Sequence, residues 1–122
     1  MSLDVHLKSA TPIKKECYEC GSIYDKYEEL YWANITHNLG EMADKAGIYQ
    51  ALWRPEENGW ITASDIIPIL DKGLKDLKKR PKYFEKFNAS NGWGIYEHFV
   101  PFVKEYLQAC KANPDAIIEA SR

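Results

Sequence analysis

Leu3, Val5 and Leu7 alternate with Asp4 and His6 in "SLDVHL", the period-2 pattern of a strand with one buried face. Thr11-Pro12 ends that run. "ELYWANI", Glu29 to Ile35, is aromatic-rich and again strand-like. The period then changes. Leu39, Met42, Ala43, Ala46 and Tyr49 or Gln50 follow helical spacing. Asn38 with Glu41 three residues on forms the outline of a capping box, and Thr36 is the competing cap. "LWRPEENGW" stops this helix, because Pro55 disfavours the helical region for Arg54 and Asn58-Gly59 signals a turn.

"TASDIIPILDKGLKDLKKRP" predicts a second helix, capped by Thr62 with Asp65 at the third position. Ile66, Ile67, Leu70, Leu74 and Leu77 form its apolar stripe. Pro68 either kinks the helix or marks its start. Gly73 is either a close-packing position or a weak point. A short helical turn and a glycine-punctuated loop occupy "YFEKFNASNGWG". "IYEHFVPFVKEYLQACKAN" predicts a third long helix with Tyr96, Phe99, Val100, Val103, Tyr106 or Leu107, and Cys110 inward, ended by Asn113-Pro114-Asp115. "AIIEASR" reads as a last strand. The expected fold is α+β: a small antiparallel or mixed sheet of about three strands, from 2–9, 28–35 and 116–121, covered by three main helices.

A chain of 122 residues with no repeat or linker reads as a single domain over 1–122. Sixteen Lys and Arg against eighteen Asp and Glu leave a net charge of −2, so no basic field invites nucleic acid. The densest basic run, Lys72 to Lys82, includes Asp76 and reads as a solvated helix face. No apolar run reaches the roughly 20 residues of a membrane span. The start "MSLDVHLKSATP" lacks a signal peptide's charged and apolar parts. A cytoplasmic location is therefore expected. Four Trp and eight Tyr exceed what a modest core needs, so some of these rings are expected to line a concave surface.

Three stretches carry candidate chemistry. "WANITHNL" places Asn34, Thr36, His37 and Asn38 at the strand-to-helix junction. Backbone N–H groups at a helix start favour an anionic group, and the same side chains could instead satisfy those donors. "LWRPEENGW" sets Trp53 beside Arg54, which suits a stacked base or sugar with its phosphate on the guanidinium. Glu56 and Glu57 offer the competing reading of a local ion pair. "NASNGWGIYEHF" places Asn91 and Trp93 among glycines, with Tyr96 following. "CYECG" gives Cys17 and Cys20 the spacing of half a structural zinc site, with His6, His37, His98 and Cys110 as the residues that could complete it; a plain hairpin with two thiols is the simpler reading, and redox use would expect the pair at a helix start, which these flanks do not offer. The odd cysteine count argues against a secreted disulfide scaffold. No hydrolase nucleophile motif is present.

"MSLDV-L", "ANITHNLGEMA-KAGIY-ALWRPEE", "NGWG-YE-FVPFV-EYL-AC" and the terminal "SR" together resemble a family of short uncharacterised bacteriophage and bacterial proteins, over nearly the whole chain. The resemblance implies that Asn34, Thr36, His37, Asn38, Trp53, Arg54, Asn91, Trp93, Tyr96 and Arg122 are signature positions, serving either a fold or a site. It also implies that the Cys-bearing excursion at 11–27 is a variable region, and that the location is the host cytoplasm.

The expectation is a small-ligand-binding protein, not an enzyme. Its pocket would lie between the junction at His37 and the Trp93 loop, with Arg54 and Arg122 on anionic groups. The phage-like resemblance points to a nucleotide or nucleotide-derived signal. A protein-interaction module and a metal- or His37-dependent hydrolase are the alternatives.

Overall fold

The alternation in the first strand is realised as a central strand with a sealed inner face. The structure, a computed structural model, describes residues 2–10, 13–16 and 18–122; for 13–15 and 24–26 the description stops at the backbone. Strand β1 (Ser2–Lys8) pairs antiparallel with β4 (Glu29–Thr36) on one side and β5 (Ile117–Ser121) on the other, giving the order β4-β1-β5. Leu3, Val5 and Leu7 face Ile35, Ala33 and Tyr31 across the first ladder, and Val5 and Leu7 face Ala120 and Ile118 across the second. The fold is thus α+β with a three-stranded antiparallel sheet, and both ends of the described chain lie in it.

Between β1 and β4, strands β2 (Ile13–Glu16) and β3 (Ile23–Lys26) form a separate two-stranded hairpin. Cys20 lies exposed in its turn, where its Sγ donates to Ser22 Oγ at 3.2 Å. Cys17, the other half of the expected zinc pair, lies outside the described residues.

The first expected helix is divided. A 3-10 turn, His37–Leu39, is followed by α1 (Gly40–Lys45) and α2 (Tyr49–Trp53), and between them the backbone turns at Gly47, whose φ is 77°. Thr36 takes the capping role: its hydroxyl accepts from the Asn38 N–H at 3.3 Å. Asn38 therefore does not build a capping box with Glu41, and its side chain is turned elsewhere. A second 3-10 turn, Pro55–Asn58, follows α2.

Helix α3 (Ala63–Lys79) contains Pro68 as its sixth residue, so the proline does not mark its start. The Asp65 carboxylate accepts from the N–H groups of Thr62 at 3.0 Å and Ile61 at 2.9 Å. Those bonds, that from Ile61 first, hold the Asp65 carboxyl below its ordinary range. A carboxyl lowered on folding stabilises the fold above its unfolded pKa and loses that contribution as pH falls through its folded value. Asp65→Ala should therefore lower the melting temperature at neutral pH, and the wild-type and variant curves should converge in acid.

Short α4 (Pro81–Glu85) precedes the long α5 (Tyr96–Ala112), which packs along α3. Leu70, Leu74 and Leu77 from α3 join Phe99, Val103 and Tyr106 from α5 in one core over the sheet's inner face, with Ile67 and Val100 at its margin. Burial pushes the Cys110 thiol up to about 12, so it stays protonated and apolar in character.

The outer face of the sheet is polar and cross-linked. Asn34 Nδ2 donates to Asp4 Oδ1 at 2.5 Å and to Ser2 Oγ at 2.9 Å, Lys8 pairs with Glu119 at 2.8 Å, and His6 contacts Glu29. No helix among the described residues is long and apolar enough to cross a membrane.

Candidate functional site

Where β4 ends, the chain enters the 3-10 turn under a loop that closes on itself. In that loop the Trp93 N–H donates to Asn91 Oδ1 at 2.9 Å, Ala89 N donates to Gly94 O at 3.0 Å, and the Tyr96 N–H at the start of α5 donates to Asn88 Oδ1 at 2.7 Å. The loop is clamped to the junction by Asn38, whose Nδ2 donates to Trp93 O at 2.8 Å. Gly94 makes the approach possible. Its φ is 106°, and a Cβ there would stand 2.8 Å from Asn38 Cβ and 3.1 Å from Thr36 Cγ2. Two separate constraints, left-handed backbone and absent space, thus demand glycine at this position.

Junction and loop enclose an open hollow of about 1100 Å3. Asn34, Thr36, His37 and Asn38 line one side with Ser2, and Asn91 and Trp93 line the other, with His98 from the first turn of α5. Trp93 is 71% exposed, so its indole is a wall of the hollow and contributes little to the core. None of the described lining residues is a lysine or arginine.

His37 is oriented from behind. The indole Nε1 of Trp53 donates to His37 Nδ1 at 2.8 Å. An indole N–H can only donate, so Nδ1 must offer its lone pair, and the neutral ring carries its proton on Nε2. With Nδ1 committed, Nε2–H is the polar group His37 has left to offer a ligand. That makes His37 a donor in this arrangement.

The other residues expected at the site lie away from the hollow. Trp53 is 2% exposed and stacked on Tyr49 at 5.2 Å between ring centroids, so it is a core ring supporting His37. Arg54 does not line the hollow: its Nη1 donates to Glu57 Oε2 at 2.6 Å, the local pair that the sequence offered as the competing reading. Arg122 donates from Nη1 to Trp53 O at 2.7 Å and Glu56 Oε1 at 2.5 Å, fastening β5 to the end of α2; that bond holds the Glu56 carboxyl below its usual range. Tyr96 turns its hydroxyl to Leu77 O at 2.7 Å and joins α5 to α3; burial raises its phenol.

Ser2 and His98 line the hollow without having been singled out for it. Ser2 could have been found only from the register that sets it opposite Thr36. His98 stands two residues beyond Tyr96 and needed the helix start to be placed. Among the described residues no group of three or more His, Cys, Asp or Glu side chains is placed to hold a metal ion. No family model, curated protein or solved structure matches this chain.

Proposed function

We propose that this hollow binds a small ligand with a planar, polar, uncharged portion, the base of a nucleotide or nucleotide-derived molecule. The supporting observation is the lining: one exposed indole, three carboxamides and two imidazoles, with no basic side chain among the described residues. Stacking on an aromatic ring is available to every base, and contributes about 1–3 kcal/mol per base. The carboxamides of Asn38 and Asn91 each keep a donor and an acceptor beyond their bonds to the Trp93 backbone, a pairing that matches the edge of a base, and Asn34 adds an acceptor. His37, held by Trp53, adds a fixed N–H donor.

The test is titration with adenosine, guanosine, cytidine and uridine, followed by tryptophan fluorescence and by the rise in melting temperature that binding to the folded state produces. At least one should bind. Trp93→Ala, at an exposed position, should leave the fold intact and weaken that binding by about ten-fold or more. No response from any of the four, or an undiminished affinity in Trp93→Ala, would defeat the reading.

A protein-contact surface is the second reading. It is favoured by exposed apolar side chains away from the hollow: Tyr18 and Ile23 on the hairpin, and Leu30 and Trp32 on β4. Trp93→Ala separates the two, since it should weaken nucleoside binding and leave capture by a partner unchanged.

A further inference from the structure

A second hollow, of about 380 Å3, adjoins the first, and the two share Asn38 and Asn91 as lining residues. Asn38 and Asn91 thus form the waist where the two hollows adjoin. Beyond that waist the lining changes character: Lys86, Asn88 and Ser90 replace the indole and imidazoles, and Glu41 stands among them. We infer that this second compartment is an anion subsite, holding the phosphate of a nucleotide whose base lies in the first, with Lys86 as the cation that receives it.

The proposal rests on the reading of the first hollow as a base site. Three further observations support it. First, a nucleotide needs a cation that the base compartment lacks, and the two arginines expected to supply one are bound to Glu57 and Glu56. Second, Lys86 takes part in no ion pair among the described residues; it lies over the face of Tyr83, with Nζ 5.9 Å from the ring centroid. A lysine in that position is a mobile point charge able to meet a phosphate. Third, Asn88 spends its Oδ1 on the Tyr96 N–H, which leaves the donor end of its carboxamide for a ligand. Ser90 adds a hydroxyl.

Glu41 opposes an anion here, and that opposition supplies a test of sign. Removing its charge should strengthen phosphate binding while leaving nucleoside binding alone, whereas removing Lys86's charge should weaken it.

The experiment compares each of the four ribonucleosides with its 5′-monophosphate by calorimetric titration of the full chain at low and moderate salt. The monophosphate should bind about ten-fold more tightly than its nucleoside, and that advantage should shrink as salt rises. Lys86→Gln should erase the advantage and leave the nucleoside's affinity unchanged; Glu41→Gln should widen it several-fold. Both side chains are exposed, so both variants should fold. If a nucleoside binds and its phosphate adds nothing, or the advantage survives Lys86→Gln, the anion subsite is overturned while the base site stands. If neither nucleosides nor monophosphates bind, the base site falls and takes the subsite with it.

Discussion

Trp53→Ala should destabilise the protein by about 3–5 kcal/mol, the range for removing a buried tryptophan from a packed core. Trp53 is 2% exposed; its indole stacks on Tyr49 and donates its N–H to His37, and its backbone carbonyl accepts from Arg122. The carbonyl bond survives the substitution, so the cost comes from lost burial and the cavity left behind. Trp53→Phe separates the remaining parts. It keeps an aromatic ring for Tyr49 and removes the donor to His37, a loss of about 1–2 kcal/mol, together with part of the ring's volume. In that variant His37 is free to change tautomer, so ligand affinity should fall although the lining of the hollow is unaltered. Urea unfolding of the wild type and both variants provides the measurement. A cost for Trp53→Ala below about 1 kcal/mol would be incompatible with a core position.

Gly73→Ala presents a contest between two known effects of opposite sign. In an exposed helix interior, alanine is favoured over glycine by about 1 kcal/mol. Gly73, however, is buried in the middle of α3, and a Cβ there would lie 2.2 Å from Ile48 Cγ2 and 3.2 Å from the carbonyl oxygen of Ala46. Ile48 is fully buried and β-branched, so it has little rotamer freedom with which to withdraw. Overpacking of this kind costs about 1–3 kcal/mol, and with a backbone oxygen as the second obstacle the upper end applies. The net result should be a loss of about 1–2 kcal/mol. In a double-mutant cycle with Ile48→Ala, which removes the opposing methyl group, the combined loss should fall short of the sum by about 1 kcal/mol or more. A Gly73→Ala protein more stable than the wild type would mean that α3 and the segment 46–48 do not meet as described.

The two outcomes bear on how much the amino-acid pattern can tell. Alternation in β1 was readable because one face of the sheet is sealed and the other wet, so Leu3, Val5 and Leu7 had no choice of side. The stripes of α3 and α5 were readable for the same reason. The central position of β1 was not, because pairing on both edges leaves no mark in its own sequence. The break at Gly47 was missed because the apolar spacing continues across it from Ala46 to Tyr49. Gly73 stayed ambiguous because its reason is Ile48, a residue 25 positions away in sequence and brought close by packing.

The site divides along the same line. Asn34, Thr36, His37 and Asn38 are neighbours in the chain, and the strand's alternation puts Asn34 and Thr36 on one side. The approach of the Trp93 loop is signalled by Gly92 and Gly94, which mark a backbone that needs unusual angles. Arg54 illustrates the opposite limit: Glu57, three residues on, takes the guanidinium in the fold, and the sequence alone offers both that pair and a ligand contact. Arg122 likewise finds Glu56 and Trp53 O through the tertiary fold alone.

The order β4-β1-β5 also governs how the chain can assemble during synthesis. The ladder between β1 and β4 closes over separations of 21 residues (Lys8 to Glu29) to 34 residues (Ser2 to Thr36), so both partners emerge early. The ladder between β1 and β5 spans nearly all of the described chain. Until Ile117–Ser121 leaves the ribosome, one edge of the central strand stays open, and the nascent polypeptide must pass through an interval in which that edge could recruit a foreign strand.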